Sequence, residues 1–77
     1  MARTLVYNVV RRPGGWVVEF DGQSLCSYRR FEEAVARARH LGREDWRESG
    51  RPCEIVVESV TGQLHQEAAF GLDQATV

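Results

Sequence analysis

Hydrophobic and polar residues change their rhythm twice along this chain. Residues 5–10, LVYNVV, are rich in β-formers and show no helical period. After RRPGG, the run WVVEF alternates, with Trp16, Val18 and Phe20 on one side and Val17 and Glu19 on the other. Two such runs joined by a Pro-Gly cluster predict a β-hairpin. Pro13 pre-sets φ for the first central position of a type II turn, and Gly14 can take the positive φ of the second. Asp21-Gly22 is another turn signal and introduces QSLCSYR at 23–29, a short third strand.

The period then lengthens. Within residues 31–48, FEEAVARARHLGREDWRE, Phe31, Ala34, Val35, Ala38, Leu41 and Gly42 recur at three and four residues, the apolar face of one helix. Trp46 falls at the edge of that face. Glu32 and Glu33 suit the positive end of the helix dipole, whereas Arg30 is a poor N-cap. Gly42 costs up to about 1 kcal/mol relative to alanine inside a helix, so it either permits close packing on the sheet or marks a bend. SGRP at 49–52 ends the helix. CEIVVES at 53–59 alternates again, Thr61-Gly62 turns the chain, and QLHQEAAF at 63–70 returns as a last strand. The prediction is one α+β domain over residues 1–71. It is a small antiparallel sheet, β-β-(β)-α-β-β, with one helix packed on one face, followed by a flexible tail at 72–77.

Strand alternation then divides the sheet. Leu5, Tyr7, Val9, Trp16, Val18, Phe20, Ile55, Val57, Leu64 and Phe70 are expected to face the helix. Val6, Asn8, Val10, Val17, Glu19, Asp21, Glu54, Val56, Glu58, His65 and Glu67 are expected on the opposite, open side. That side combines valines with an acidic rim.

These features resemble the small bacterial proteins known as domain of unknown function 2188. The matching stretches are YNVVRRPGGWVV at 7–18, FEEAVARAR at 31–39, EIVVESVTGQL at 54–64 and FG at 70–71. The resemblance covers nearly the whole chain and implies a hairpin, a helix and a final hairpin; it implies no activity. Two departures stand out. Arg29 and Arg30 occupy the place where that family carries Asp or Thr before the helix. The last strand, often arginine-rich in the family, here reads QLHQEAAFG.

Composition narrows the function classes. A chain of 77 residues has room for a single small core. Its net charge of −1, from ten basic and eleven acidic residues, argues against a dedicated nucleic-acid binder. All ten basic residues are arginine, which reads as a coding bias or as selection for planar, bidentate donors. No apolar run approaches the roughly 20 residues that span a bilayer. The start, MARTLVYNVV, lacks a small-residue cleavage site, so a cytoplasmic protein without membrane contact is expected. Cys26 and Cys53 show no CxxC spacing and are expected to be reduced and metal-free. For a Cys-His pairing, His40 falls opposite the apolar helix face and His65 opposite Leu64, so both are expected to point to water while Cys53 shares parity with Ile55, and no catalytic residue, metal ligand or cofactor is assigned. RRPGGWVVEF runs from a turn into a strand and not into a helix, so it is a hairpin corner and not a phosphate loop.

What remains is surface. The open sheet face, with Val6, Val10, Val17, Glu19, Val56 and Glu58, suits a protein partner or a second copy, and a non-catalytic interaction module or accessory protein is expected. The alternative is a weak nucleic-acid binder using Arg39, Arg43 and Arg47, which fall at i, i+4 and i+8 as one ridge. A third reading is a phage-type inhibitor that blocks a larger complex.

Overall fold

The computed structural model describes residues 4–71. The tail expected at 72–77 lies outside the described residues. In chain order the elements are β1 (Leu5–Arg12), β2 (Gly15–Phe20), β3 (Gln23–Tyr28), α1 (Phe31–Ser49), β4 (Cys53–Glu58) and β5 (Leu64–Phe70). The five strands form one sheet in the order β3-β2-β1-β4-β5, with α1 across one face. The α+β class and the element order are those the hydrophobic pattern predicts.

The sheet is mixed, not antiparallel throughout. β1 and β2, β2 and β3, and β4 and β5 pair antiparallel, but the central pair β1 and β4 is parallel. The reason is the crossover. β3 ends at the same end of the sheet as β1, and α1 carries the chain back to the other end. β4 therefore starts where β1 starts, and it fills the free side of β1 in the only direction left to it. The N–H of Leu5 donates to the carbonyl of Pro52 at 2.8 Å, continuing the contact between the two segments ahead of β4.

The core lies between α1 and the middle of the sheet. Val9, Val18, Cys53 and Ile55 are wholly buried, together with Ala34 and Ala38 of the helix. Small helix residues let the backbone approach closely. A Cβ at Gly42 would stand 3.0 Å from Ile55 Cδ1 and 3.4 Å from Phe70 Cδ2, so this glycine serves close packing, and the helix runs on past it to Ser49. Aromatic pairs fill the flanks. Tyr7 stacks on Phe20 at 4.7 Å, and Trp16 meets Phe31 edge-on at 4.8 Å. Trp16 is thus a core anchor at the hairpin corner. The hairpin needs both its glycines: Gly14 has φ +91°, and a Cβ at Gly15 would collide with the carbonyl oxygen of Tyr28. As the sequence indicates, Arg30 supplies no side-chain cap to α1.

Both outer strands carry a β-bulge. Across β2 and β3 the register moves from Val18 opposite Cys26 to Glu19 opposite Ser24, leaving Leu25 as the extra residue. Across β4 and β5 it moves from Ile55 opposite Ala68 to Val56 opposite Gln66, leaving Glu67 extra. An extra residue reverses the alternation beyond it. Leu64 therefore pairs with Glu58 on the open side and is 59% exposed, while His65 pairs with Val57 on the helix side. The expected faces of Leu64 and His65 are exchanged, and Glu67 belongs to the bulge and not to the open row. Elsewhere the predicted helix-facing set holds, since Leu5, Tyr7, Val9, Val18, Ile55 and Val57 are buried, with Trp16, Phe20 and Phe70 packed around them.

Candidate interaction surface

On the uncovered side, register sets neighbours across the strands. Val17 lies opposite Val10 and Ser27, Asn8 lies between Glu19 and Val56, and Val6 lies beside Glu54, which faces Ala69. Glu58 faces Leu64 at the other end of β4. All six residues expected to form a binding face therefore do lie on one face. Val10 is only 8% exposed although no helix covers it, while Val6, Val17, Glu19, Val56 and Glu58 are half-buried. Val17 lies directly across from Val10, whereas Asn8 stands between Val6 and Val10 along β1 and directly beside Val56, so the apolar positions surround a polar one.

The acidic rim is partly answered from within. Arg12 Nη2 lies 3.2 Å from Glu19 Oε2, an exposed pair worth about 0–1 kcal/mol. The backbone N–H of Arg11 donates to Glu58 Oε1 at 2.9 Å, so this carboxylate takes up a donor of β1 beyond the last paired residues of the β1–β4 ladder. Glu54 has no ion-pair partner among the described residues. Beside it, a shallow depression of about 420 Å³ is lined by Val6, Asn8, Phe20, Asp21 and Arg51, among others. The face thus carries Arg12 toward one end and Glu54 toward the other.

The helix ridge is spent differently. The Arg43 guanidinium sits 5.7 Å from the centre of the Phe70 ring, and Arg47 Nη1 is 3.3 Å from Glu44 Oε2. Of the three ridge arginines only Arg39 lacks such a partner among the described residues. Other arginines are engaged at the hairpin end, where Arg11 lies over Trp16 at 5.7 Å and Arg37 Nε donates to the Tyr28 hydroxyl at 3.0 Å.

One polar constellation escaped the sequence reading. The Tyr7 hydroxyl donates to Asp45 Oδ2 at 3.0 Å, and the Ser49 hydroxyl, which donates to the Asp45 backbone carbonyl at 2.8 Å, lies 3.1 Å from Asp45 Oδ1. Burial, then the Asp45 hydrogen bond and charge, push the Tyr7 phenol up to about 12. The signal was available, because continuing the helical spacing past Leu41 and Gly42 lands on Asp45 and then Ser49. The arrangement ties the end of α1 to β1. Burial also pushes the Cys53 thiol up, which makes it a weak nucleophile.

The two cysteines are free, and the strand order separates them. Cys26 sits in β3 and Cys53 in β4, with β2 and β1 between, and the register sets Cys26 level with Val57, so the two cysteines are roughly 14 Å apart across the sheet and further still along it. A disulfide needs Cα atoms within about 7 Å. His40 and His65 are exposed, and among the described residues no three His, Cys, Asp or Glu side chains gather as metal ligands. Among the described residues no helix is long and apolar enough to cross a membrane. Comparison with family models, curated proteins and solved structures finds no match to this chain.

Proposed function

We propose that this protein is a non-catalytic interaction module that docks a partner protein on its open sheet face. The observation that carries the proposal is the set of partly exposed Val6, Val17 and Val56 beside the buried Val10, enlarged by Leu64, which the β5 bulge turns to the same side. Solitary exposed apolar residues are ordinary, but several gathered around Asn8 on one bare sheet face give the mixed apolar and polar surface that interfaces use. The charges around it favour orientation over bulk attraction. Arg12 and Glu19 answer one another, so Glu54 is left to select a basic group on the partner. The proposal needs no cofactor and no catalytic residue, and it does not lean on the resemblance to domain of unknown function 2188, which brings no activity.

Nucleic-acid binding through Arg39, Arg43 and Arg47 is the less supported alternative, because Arg43 is stacked and Arg47 paired. The same docking face would serve an inhibitor of a larger complex or a cytoplasmic accessory protein. The test is affinity capture from the source cell with the parent protein, Val17→Glu, Val56→Lys and Arg39→Glu, followed by amide-shift mapping of each captured protein. Partners lost with either valine variant, retained with Arg39→Glu and mapping to the open face are the expected result. Partners that survive both valine variants and vanish with Arg39→Glu would overturn it.

A further inference from the structure

Each edge of a sheet exposes a row of backbone N–H and C=O groups that can pair with another chain, and proteins commonly guard such edges with charge, proline or a bulge. The two edges here are guarded unequally. β5 carries His65 and a bulged Glu67. β3, QSLCSY, has no charged residue and no proline; its one guard is the bulge at Leu25, and Leu25 is itself 45% exposed. In a chain with 27% charged residues, this is the one strand without any.

The residues that flank β3 are of opposite sign. Asp21 precedes the strand, and Arg29 and Arg30 follow it. None of these three side chains has an ion-pair partner among the described residues. We propose that β3 is a self-pairing edge, through which two copies join antiparallel about a two-fold axis into one continuous sheet. Antiparallel pairing sets Asp21 of each copy toward Arg29 and Arg30 of the other, at both ends of the contact. Parallel pairing would set arginine against arginine and acid against acid, which repels. The two-fold arrangement uses the same patch on both copies and closes, so it consumes the β3 edges and stops at a dimer. Leu25 of each copy adds apolar contact near the axis. A contact of one short strand falls at the small end of specific interfaces, below about 1,200 Å², so the dimer forms and dissociates readily with concentration. This proposal concerns the sheet edge and stands independently of what docks on the open face.

Sedimentation velocity from micromolar to millimolar concentration tests it, with amide hydrogen exchange as the site-specific readout. The expected result is a concentration-dependent monomer–dimer equilibrium in which β3 amides gain protection as the dimer fills. Leu25→Lys and the double variant Arg29→Glu/Arg30→Glu should each weaken the dimer about tenfold or more, because both place like or unpaired charge in the contact. Circular dichroism should show both variants folded, since all three positions are exposed. Val17→Glu should leave dimerisation unchanged. A protein that stays monomeric at millimolar concentration overturns the proposal. So does a dimer that survives Leu25→Lys but is lost with Val17→Glu, a result that would move the contact to the open face.

Discussion

The two sides of this sheet are written by alternate residues of the same strands, yet they obey different rules. In β4, Cys53, Ile55 and Val57 are sealed beneath α1, while Glu54, Val56 and Glu58 on the other side remain half-buried. On the covered side, shape decides: Gly42 exists so that Ile55 and Phe70 can reach the helix. On the uncovered side, Val10 is buried and carboxylates find local partners, but nothing presses on the surface from above. The difference separates residues that hold the fold from residues free to serve a partner. Val9 and Val10, or Ile55 and Val56, are chemically alike and adjacent in sequence, and only the side they occupy tells them apart.

The largest effect should come from cutting the covered side. Ile55→Ala is expected to cost about 2–5 kcal/mol, the usual range when a buried aliphatic side chain leaves a cavity. Total stability for a domain of this size is roughly 4–12 kcal/mol, so much of it would be lost. Val56→Ala, one residue on, should cost about 1 kcal/mol or less, because its side chain gives up little burial. Urea denaturation of both variants is the measurement. Equal losses would mean that the two sides are not energetically distinct.

A middle-sized effect lies where the covered side meets the helix end. Tyr7→Phe removes the hydrogen bond to Asp45 and should cost about 0.5–1.5 kcal/mol near neutral pH. The pH dependence is more specific. The folded phenol titrates at about 12 and the unfolded one near its ordinary value of about 10. Above that lower value the unfolded chain gives up its proton first, so the stabilisation is complete below pH 10 and is lost as pH rises toward 12. The slope should approach about 1.4 kcal/mol per pH unit for this one group. Subtracting the Tyr7→Phe curve from that of the parent isolates it. A flat difference curve over that window would show that Tyr7 ionises freely in the fold.

Most of the architecture was legible because it is periodic. The change from alternation to helical spacing and back placed α1 at 31–48 against the observed Phe31–Ser49, and the Pro-Gly and Asp-Gly turns placed the first hairpins. The six proposed face residues were legible for the same reason, since β1, β2 and β4 keep an unbroken alternation across them. The parallel central pair was missed because turn chemistry was applied where a helical crossover governs direction. The β5 error is subtler. Nothing in QLHQEAAF marks Glu67 as an extra residue: Leu64, Ala68 and Phe70 share one parity, so unbroken alternation sets all three toward the helix, and only the observed pairing separates Leu64 from the other two. Local pattern fixes alternation only until a bulge, and a bulge without glycine leaves no local sign.

The smallest effect is the sharpest test of that point. Leu64 pairs with Glu58 on the open side and is 59% exposed, so Leu64→Ser should change stability by about 0.5 kcal/mol or less. Had β5 kept its alternation, Leu64 would lie on the helix side opposite Ser59, and the same substitution would cost more, up to about 2–5 kcal/mol if it were sealed there as other buried leucines are. A near-neutral result agrees with the bulged register, and a loss of several kcal/mol contradicts it. Nuclear Overhauser contacts complete the case: Leu64 methyls should see the Glu58 side chain and not Val35 of the helix. The same variant should weaken a partner docked on the open face, since it removes an apolar side chain from that surface without disturbing the core beneath. A residue that costs nothing in stability and something in binding is what an uncovered side should contain. If Leu64→Ser instead unfolds the protein, β5 lies in the unbulged register, and Leu64 belongs to the core.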